Sequence, residues 1–427
     1  MILGVSLLAV LTAGLSILLL KGCSGKKEPG SPDPSRPAET SEAFSSSARN
    51  PGVDYSEFFG HKAAVNENAP LYVRKDDGFK EAGHLGTDVL LDIAQEQDGA
   101  YVAVSDSDFW VRGSDLSASS RWFARDSRLL KQNRTITTKD SYRIQDEAGN
   151  VIARIQESHE YPVYVSATDT EPYGIRFMNG IFFIPAEDVA SLAETTEEVP
   201  ENAREIPVLM YHFFYSEADG GQRVDGNYVE VNELASHLNY LKENGRDALT
   251  MREVQYWMEK RASVAPGCVA ITIDDADPSV HQYAMPVFTE YGMHATNFVI
   301  CGWQPPEMPY ELWEMRENGM ELQSHGFLTH TGGCSGMGHG GLLLCMDHDA
   351  GVQDTIQSFD YVDGGFVYCY PFGDINTNAE SIVRDGGAKL AFTTEPGKIR
   401  PDMDPLALPR VRVTGGNSLS AFAASIG

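Results

Sequence analysis

The sequence predicts an α/β fold built on a parallel sheet, preceded by two small all-β barrel-like modules. Three observations carry this. First, Cys268-Val-Ala-Ile-Thr-Ile-Asp-Asp-Ala276 is a run of β-branched and small apolar residues ending in adjacent carboxylates. A run without polar alternation reads as a strand covered on both faces, as in parallel sheets. Second, from Pro207 onward strand-like and helix-like segments alternate, which is the pattern of repeated βα units. Third, short β-rich runs separated by turn residues occupy residues 71–188, in two halves that are weak copies of one another.

The elements follow in chain order. Residues 1–20 carry no charge and are almost wholly apolar, so they read as an export segment outside the fold. Leu20-Lys-Gly-Cys23 resembles a bacterial lipoprotein box, which implies lipidation at Cys23 and a membrane anchor over residues 1–23. Lys21, where a small residue is usual, and the lack of a basic residue before the apolar run depart from that pattern. An uncleaved membrane-spanning helix is the alternative, since about 20 apolar residues just cross a bilayer. Either way the remainder is expected on the extracellular face of the cytoplasmic membrane or in the cell wall. Residues 24–50, rich in Ser, Pro and charge, are expected to be a disordered tether.

Residues 51–118 and 119–195 are expected to form the two β modules. Leu71-Tyr-Val-Arg through Asp115-Leu matches Tyr142-Arg-Ile through Asp188-Val in order and rough spacing. The layout resembles bacterial Src-homology-3-like domains, which implies peptidoglycan as a partner; plain spacers are the alternative. Residues 196–206 are read as an acidic linker, the acidic stretch itself beginning near residue 190.

Residues 207–427 form the last domain. Strands are expected at 208–211, 248–250, 268–273, 295–300, 320–324, 366–370, 389–394 and 408–413. Helices are expected near 232–244, 251–260, 286–291, 312–318 and 378–385. The first helix has Asn232 as cap, Leu234, Leu238 and Leu241 on one face, and Gly245 as stop. The pattern leaves open whether the sheet closes into a barrel.

The formal charge of −28, from 61 acidic against 33 Lys and Arg residues, argues against nucleic acid as a partner, because phosphate binding needs clustered positive charge. Cys268, Cys301 and Cys369 fall in or beside core strands and read as buried free thiols. Cys334 and Cys345 flank a Gly-rich loop, where a disulfide is the less favoured of the two states.

The chemistry concentrates at two strand ends. Asp274 and Asp275 close one; Ser324-His-Gly-Phe-Leu-Thr-His330 brings two imidazoles to another. One carboxylate with two imidazoles holds a divalent ion while leaving open positions. The second carboxylate is then free to take a proton from water. Adjacent side chains point to opposite faces of an ideal strand, so the chain must end or twist at Asp274-Asp275 for both to converge.

On these residues, 207–427 resembles the polysaccharide deacetylases (NodB-homology group, carbohydrate esterase family 4). Thr272-Ile-Asp-Asp-Ala276, Ser324-His-Gly-Phe-Leu-Thr-His330 and Tyr370-Pro-Phe-Gly373 stand for its motifs, and Val208-Leu-Met-Tyr-His212 and Leu408-Pro-Arg-Val-Arg-Val413 for its flanking strands. The resemblance implies a distorted (β/α) barrel of fewer than eight strands. It implies Asp274 as base, Asp275, His325 and His330 as ligands of one divalent metal (Zn2+, with Co2+, Ni2+ or Mn2+ as alternatives), and the Phe372 N–H as an oxyanion donor. Tyr370, Pro371 and Trp303 are expected to meet substrate; for Trp303, Tyr310 and Trp313, core or rim packing is the favoured alternative.

Departures from the family pattern are Ala276 for Gly, Ile273 for Phe, and Val367 where many members carry an Arg beside the base. Arg410 is the expected replacement, with Arg412, or a surface strand role for either, as the alternative. The late histidine that supplies the general acid is missing, since no histidine follows His348; His212 and His339 are the candidates. The implied reaction is hydrolysis of N-acetyl groups on a cell-wall or extracellular N-acetylhexosamine glycan. An O-acetyl esterase on the same scaffold and a catalytically weak wall-binding lipoprotein are the alternatives.

Overall fold

A computed structural model describes residues 53–66, 68–86, 89–119 and 126–427. The apolar run, Cys23 and the tether lie outside the described residues. No helix among the described residues is long and apolar enough to cross a membrane.

The C-terminal half is a closed parallel barrel. Strands Val208–Tyr211, Val269–Asp275, Thr296–Val299, Glu321–Ser324, Val367–Cys369, Leu390–Pro396 and Leu408–Arg412 follow one another, and the ring shuts where Val208–Tyr211 pairs with both Leu408–Arg412 and Val269–Asp275. The eighth strand of the sheet, Ala248–Leu249, is appended. One edge of Val269–Asp275 meets it over residues 269–270 and Thr296–Val299 over residues 272–275. That hand-over distorts the ring. The β-branched run at 269–273 is fully buried because both of its faces are covered, as its lack of alternation implies.

Helices Val231–Glu243, Met251–Met258, Met285–Tyr291, Tyr310–Glu317, His348–Tyr361, Thr377–Asp385 and Leu419–Ile426 wrap the ring. Leu234, Leu238 and Leu241 face the core as their spacing requires. The cap of that helix is Glu230 rather than Asn232, since the Glu230 carboxylate accepts from the Asn232 and Glu233 N–H groups. His348–Tyr361 has no hydrophobic periodicity to announce it. Its buried face is Gly351, Asp354, Thr355 and Ser358, with Phe359 as the large apolar member.

The two all-β segments share one plan. In the first, Lys62–Val65 pairs with Leu90–Asp98 and Leu116–Ala118; in the second, Arg134–Thr138 pairs with Glu160–Pro162 and Val189–Glu194. Each also carries a short 3-10 turn, Gly113–Asp115 or Ala186–Asp188, before its last strand. They are joined rather than separate: Gly78–Leu85 pairs with Val151–Ile155, making one eleven-stranded sheet over a shared core. Gly83 permits the approach, since a Cβ there would lie 2.2 Å from the Arg154 carbonyl oxygen. The acidic stretch begins as the edge strand Val189–Glu194 of the second segment.

The second β segment is also continuous with the barrel. Leu129, Val165 and Phe183 share a core with Val208, Trp257, Phe298 and Leu390. Leu129–Leu130 pairs with Ser263–Val264, and Glu253 accepts from the Ser127 hydroxyl and the Arg128 N–H. Cys268, Cys301 and Cys369 are free and buried, whereas Cys334 and Cys345 form a disulfide, against expectation. Closure of the Gly-rich loop brings these two residues together.

His237 lies in the helix layer, stacked on Phe422 with its Nδ1 3.1 Å from the Tyr211 hydroxyl. Burial pushes its imidazole down to about 4, against roughly 6.5 in an unfolded chain. The unfolded chain therefore binds a proton that the folded state refuses. The contribution of His237 is intact above about pH 6.5 and is lost as pH falls toward the folded value. Denaturant unfolding of the full-length protein at pH 7 and 4.5 is expected to show His237→Phe losing less stability on acidification, by on the order of 2 kcal/mol. Equal acid sensitivity of the two proteins would exclude this role.

Candidate active site

The site gathers at the C-terminal ends of the barrel strands, where α/β folds place their chemistry. Asp274 and Asp275 end one strand, His325 follows Glu321–Ser324, His212 follows Val208–Tyr211, and Arg410 rises from Leu408–Arg412. The chain turns sharply at the carboxylates: Asp275 and Ala276 have φ of 78° and 51°. Two successive non-glycine residues in the left-handed region are strained, and such strain collects at functional sites. The turn sends the Asp274 and Asp275 side chains to different partners.

Asp274 is held by Arg410. Both contacts, Nη1 to Oδ1 and Nη2 to Oδ2, are 2.7 Å. Arg410 is 0% exposed, and its remaining donors reach the Thr393 carbonyl, the Thr272 hydroxyl and Cys369 Sγ. Burial works to raise the Asp274 carboxyl, and the guanidinium overrides it, holding it at about 2. His212 is the next neighbour, with Nε2 3.8 Å from Asp274 Oδ2. Burial lowers its imidazole, partly opposed by Asp274 and Asp275. Arg412 bonds outward to Asn227, so Arg410 is the arginine that pairs with Asp274.

Asp275 faces the imidazoles. Its Oδ1 lies 3.5 Å from His325 Nε2 and 3.4 Å from His330 Nε2. His325 Nδ1 donates to the Cys369 carbonyl at 2.7 Å, which fixes the ring with Nε2 turned toward Asp275 and His330. The donor atoms of Asp275, His325 and His330 fall within 4.8 Å of one another. Their chemistry, one carboxylate oxygen and two imidazole nitrogens, fits a divalent cation with open positions. Asp274, His325 and Cys369 form a second cluster of the same compactness. Asp274 there is already committed to Arg410, and burial raises the Cys369 thiol, so this set is the poorer one.

The loop from His325 to His330 is held by Asp354, whose carboxylate accepts from the Phe327 N–H at 3.0 Å, the Leu328 N–H at 2.6 Å and the Thr329 hydroxyl at 3.2 Å. The Ser324 hydroxyl adds a bond from the Gly326 N–H. Asp354 has no signal in the sequence beyond its residue type, because its helix carries no apolar stripe.

Phe372 sits in the turn Pro371–Gly373 with φ of 62°, and its ring lies 4.7 Å from that of His330. Trp303 is 68% exposed and packs edge-on against His330 at 5.3 Å. Tyr310 and Trp313 are exposed as well, so none of the three is a core residue. Tyr370 and Pro371 do not meet the expectation of substrate contact. Both are buried, and the Tyr370 hydroxyl donates to the Leu406 carbonyl inside the fold. His339 is 73% solvent-exposed at its side chain and bonded to Asp374 rather than to any of these groups.

Comparison with known proteins finds the polysaccharide deacetylase family pattern over residues 261–391. The YxkH protein of Bacillus subtilis (strain 168), named with the polysaccharide deacetylases, is 30% identical over 235 residues, covering 53% of this chain and 77% of its own length. The poly-beta-1,6-N-acetyl-D-glucosamine N-deacetylase of Staphylococcus aureus (strain MRSA252) is 25% identical over 203 residues, covering 44% of this chain and 69% of its own. Among solved structures, the Streptococcus pyogenes deacetylase PplD in complex with acetate aligns at 24% identity with a TM-score of 0.45, covering 52% of this chain and 98% of that one.

Replacing Asp354 by Ala leaves the Phe327 and Leu328 N–H groups without their acceptor and frees the His330 loop. Zinc affinity of the full-length protein, measured by chelator competition, is expected to fall about 10–100-fold. Unchanged affinity would show that the loop holds itself.

Proposed function

The chain belongs to the polysaccharide deacetylase family, and we propose that it removes N-acetyl groups from an exported N-acetylhexosamine polymer in a metal-dependent reaction. The observation that carries this is the pairing of two unlike carboxylates: Asp274 locked to Arg410, and Asp275 turned to His325 and His330. Asp275, His325 and His330 would hold one divalent cation, zinc being the ion that suits this donor set best. When bound, such an ion polarises an acetyl carbonyl and lowers the pKa of water.

The rest falls to the chain's own groups. Asp274 stays ionised through the neutral range because Arg410 stabilises its charge, and it takes the proton of the attacking water as the new bond forms. A carboxyl held this low also gives the proton up readily. His212, with Nε2 3.8 Å from Asp274 Oδ2, relays that proton from Asp274 to the amine nitrogen as the bond between it and the carbonyl carbon breaks. The Phe372 N–H stabilises the oxyanion. Acetate and a free amine result. Exposed Trp303 and Phe372 beside His330 offer apolar faces for a sugar ring. Export and a lipid anchor at Cys23 rest on the sequence of residues 1–23, and binding of peptidoglycan by the β segments on their layout.

The test uses full-length protein with N-acetylglucosamine oligomers. Acetate and new amine are expected one for one, abolished by chelator and restored by zinc. Asp274→Asn is expected to lower kcat by about 10²–10⁴-fold while bound zinc stays stoichiometric. Acetate released without amine from an O-acetylated glycan, with none from the oligomers, would make the protein an O-acetyl esterase; bound zinc without any release from oligomers or wall material would make it a binding protein.

A further inference from the structure

We propose that Asp374 is a positioning residue for this reaction: through the loop closed by Cys334 and Cys345 it fixes the backbone turn at Phe372. The inference rests on the deacetylase reading above.

Asp374 follows the turn Pro371–Gly373 directly, and its side chain is 5% exposed. Its carboxylate meets only N–H donors of the Gly-rich loop. The His339 N–H reaches Oδ1 at 2.8 Å and Oδ2 at 3.0 Å, the Gly341 N–H reaches Oδ2 at 2.9 Å, and His339 Nδ1 lies 2.9 Å from Oδ1. The backbone comes close enough to need glycine. A Cβ on Gly338 would lie 2.3 Å from Asp374 Oδ1, and one on Gly341 would lie 3.1 Å from both Asp374 Oδ2 and Phe372 Cδ2. The loop therefore packs on the turn through its main chain.

The same loop begins at a proposed metal ligand. Thr331, next to His330, accepts the Leu342 N–H at 2.8 Å, and Gly332 and Gly341 form a bridge. The Cys334–Cys345 disulfide closes the loop, and Asn376 and Asn378 bind the Leu344 and Met346 carbonyls at its far end. Phe372 at φ 62° needs such support, because a non-glycine residue in that region is strained. One inward-facing carboxylate thus couples the loop leaving His330 to the turn that carries the proposed oxyanion donor, the Phe372 N–H.

In Asp374→Asn an NH2 group meets N–H donors, so the loop detaches from the turn. With full-length protein and N-acetylglucosamine oligomers, kcat is expected to fall about 10–100-fold, less than the roughly 10²–10³-fold lost when an oxyanion donor is removed outright. KM and zinc stoichiometry should hold, and amide hydrogen exchange over 332–345 should quicken. His339→Ala deletes only the ring contact and should cost far less. If Asp374→Asn does not fold, the double variant Cys334→Ser/Cys345→Ser loosens the same loop from its other end and should show the same fall in kcat at full zinc loading. Unchanged kcat in the variant that folds, a rise in KM alone, or an equal loss in His339→Ala would overturn the proposal. Wild-type protein that releases no acetate would instead overturn the deacetylase reading beneath it.

Discussion

The ion pair between Arg410 and Asp274 is the constraint on which the site depends. Arg410 is wholly buried, and each of its five N–H donors has an acceptor: both Asp274 oxygens, the Thr272 hydroxyl, the Thr393 carbonyl and Cys369 Sγ. Desolvating two charges is costly, and removing one partner of such a pair typically costs about 3–5 kcal/mol. The network ties strands Val269–Asp275, Val367–Cys369, Leu390–Pro396 and Leu408–Arg412 at one end of the barrel. It also divides labour between neighbouring carboxylates. Asp274 has both oxygens committed to a fixed cation, so Asp275 is the one left to face His325 and His330.

That division needs the chain to break from strand geometry within two residues, and it does so at a price in backbone strain at Asp275 and Ala276. Phe372, the third non-glycine residue of the site with positive φ, lies across the site against the His330 ring. Strained positions persist where their surroundings over-determine them. Here the surroundings are two buried carboxylates that bind main-chain N–H groups: Asp354 under the His325–His330 loop and Asp374 under the turn at Phe372.

Much of this was legible in the sequence because it rests on runs and spacings. The buried strand ending in Asp274-Asp275, the two histidines of the next motif and the βα alternation are local patterns. Arg410 was legible as the expected replacement for the arginine beside the base, with Arg412 as the alternative, and the pairing with Asp274 that separates the two belongs to the closed barrel. What escaped was held by tertiary contact. The helix His348–Tyr361 buries glycine, hydroxyl and carboxylate groups and so shows no apolar stripe. Asp354 and Asp374 look like any surface acid until the fold brings N–H groups to them. Tyr370 reads as a motif residue open to substrate, yet its side chain points into the core. The β segments repeat as their pattern suggests, but their fusion into one sheet depends on the Gly83 approach, which no periodicity encodes.

The central claim is that Asp275, His325 and His330 hold the metal while Arg410 reserves Asp274 as base. X-ray absorption at the zinc edge of the zinc-loaded full-length protein tests it without relying on turnover. The account predicts a first shell of nitrogen and oxygen only, near ~2.0–2.1 Å, with imidazole scattering beyond it. A sulfur scatterer near ~2.3 Å would place the ion on Asp274, His325 and Cys369 instead and contradict the assignment of the two carboxylates.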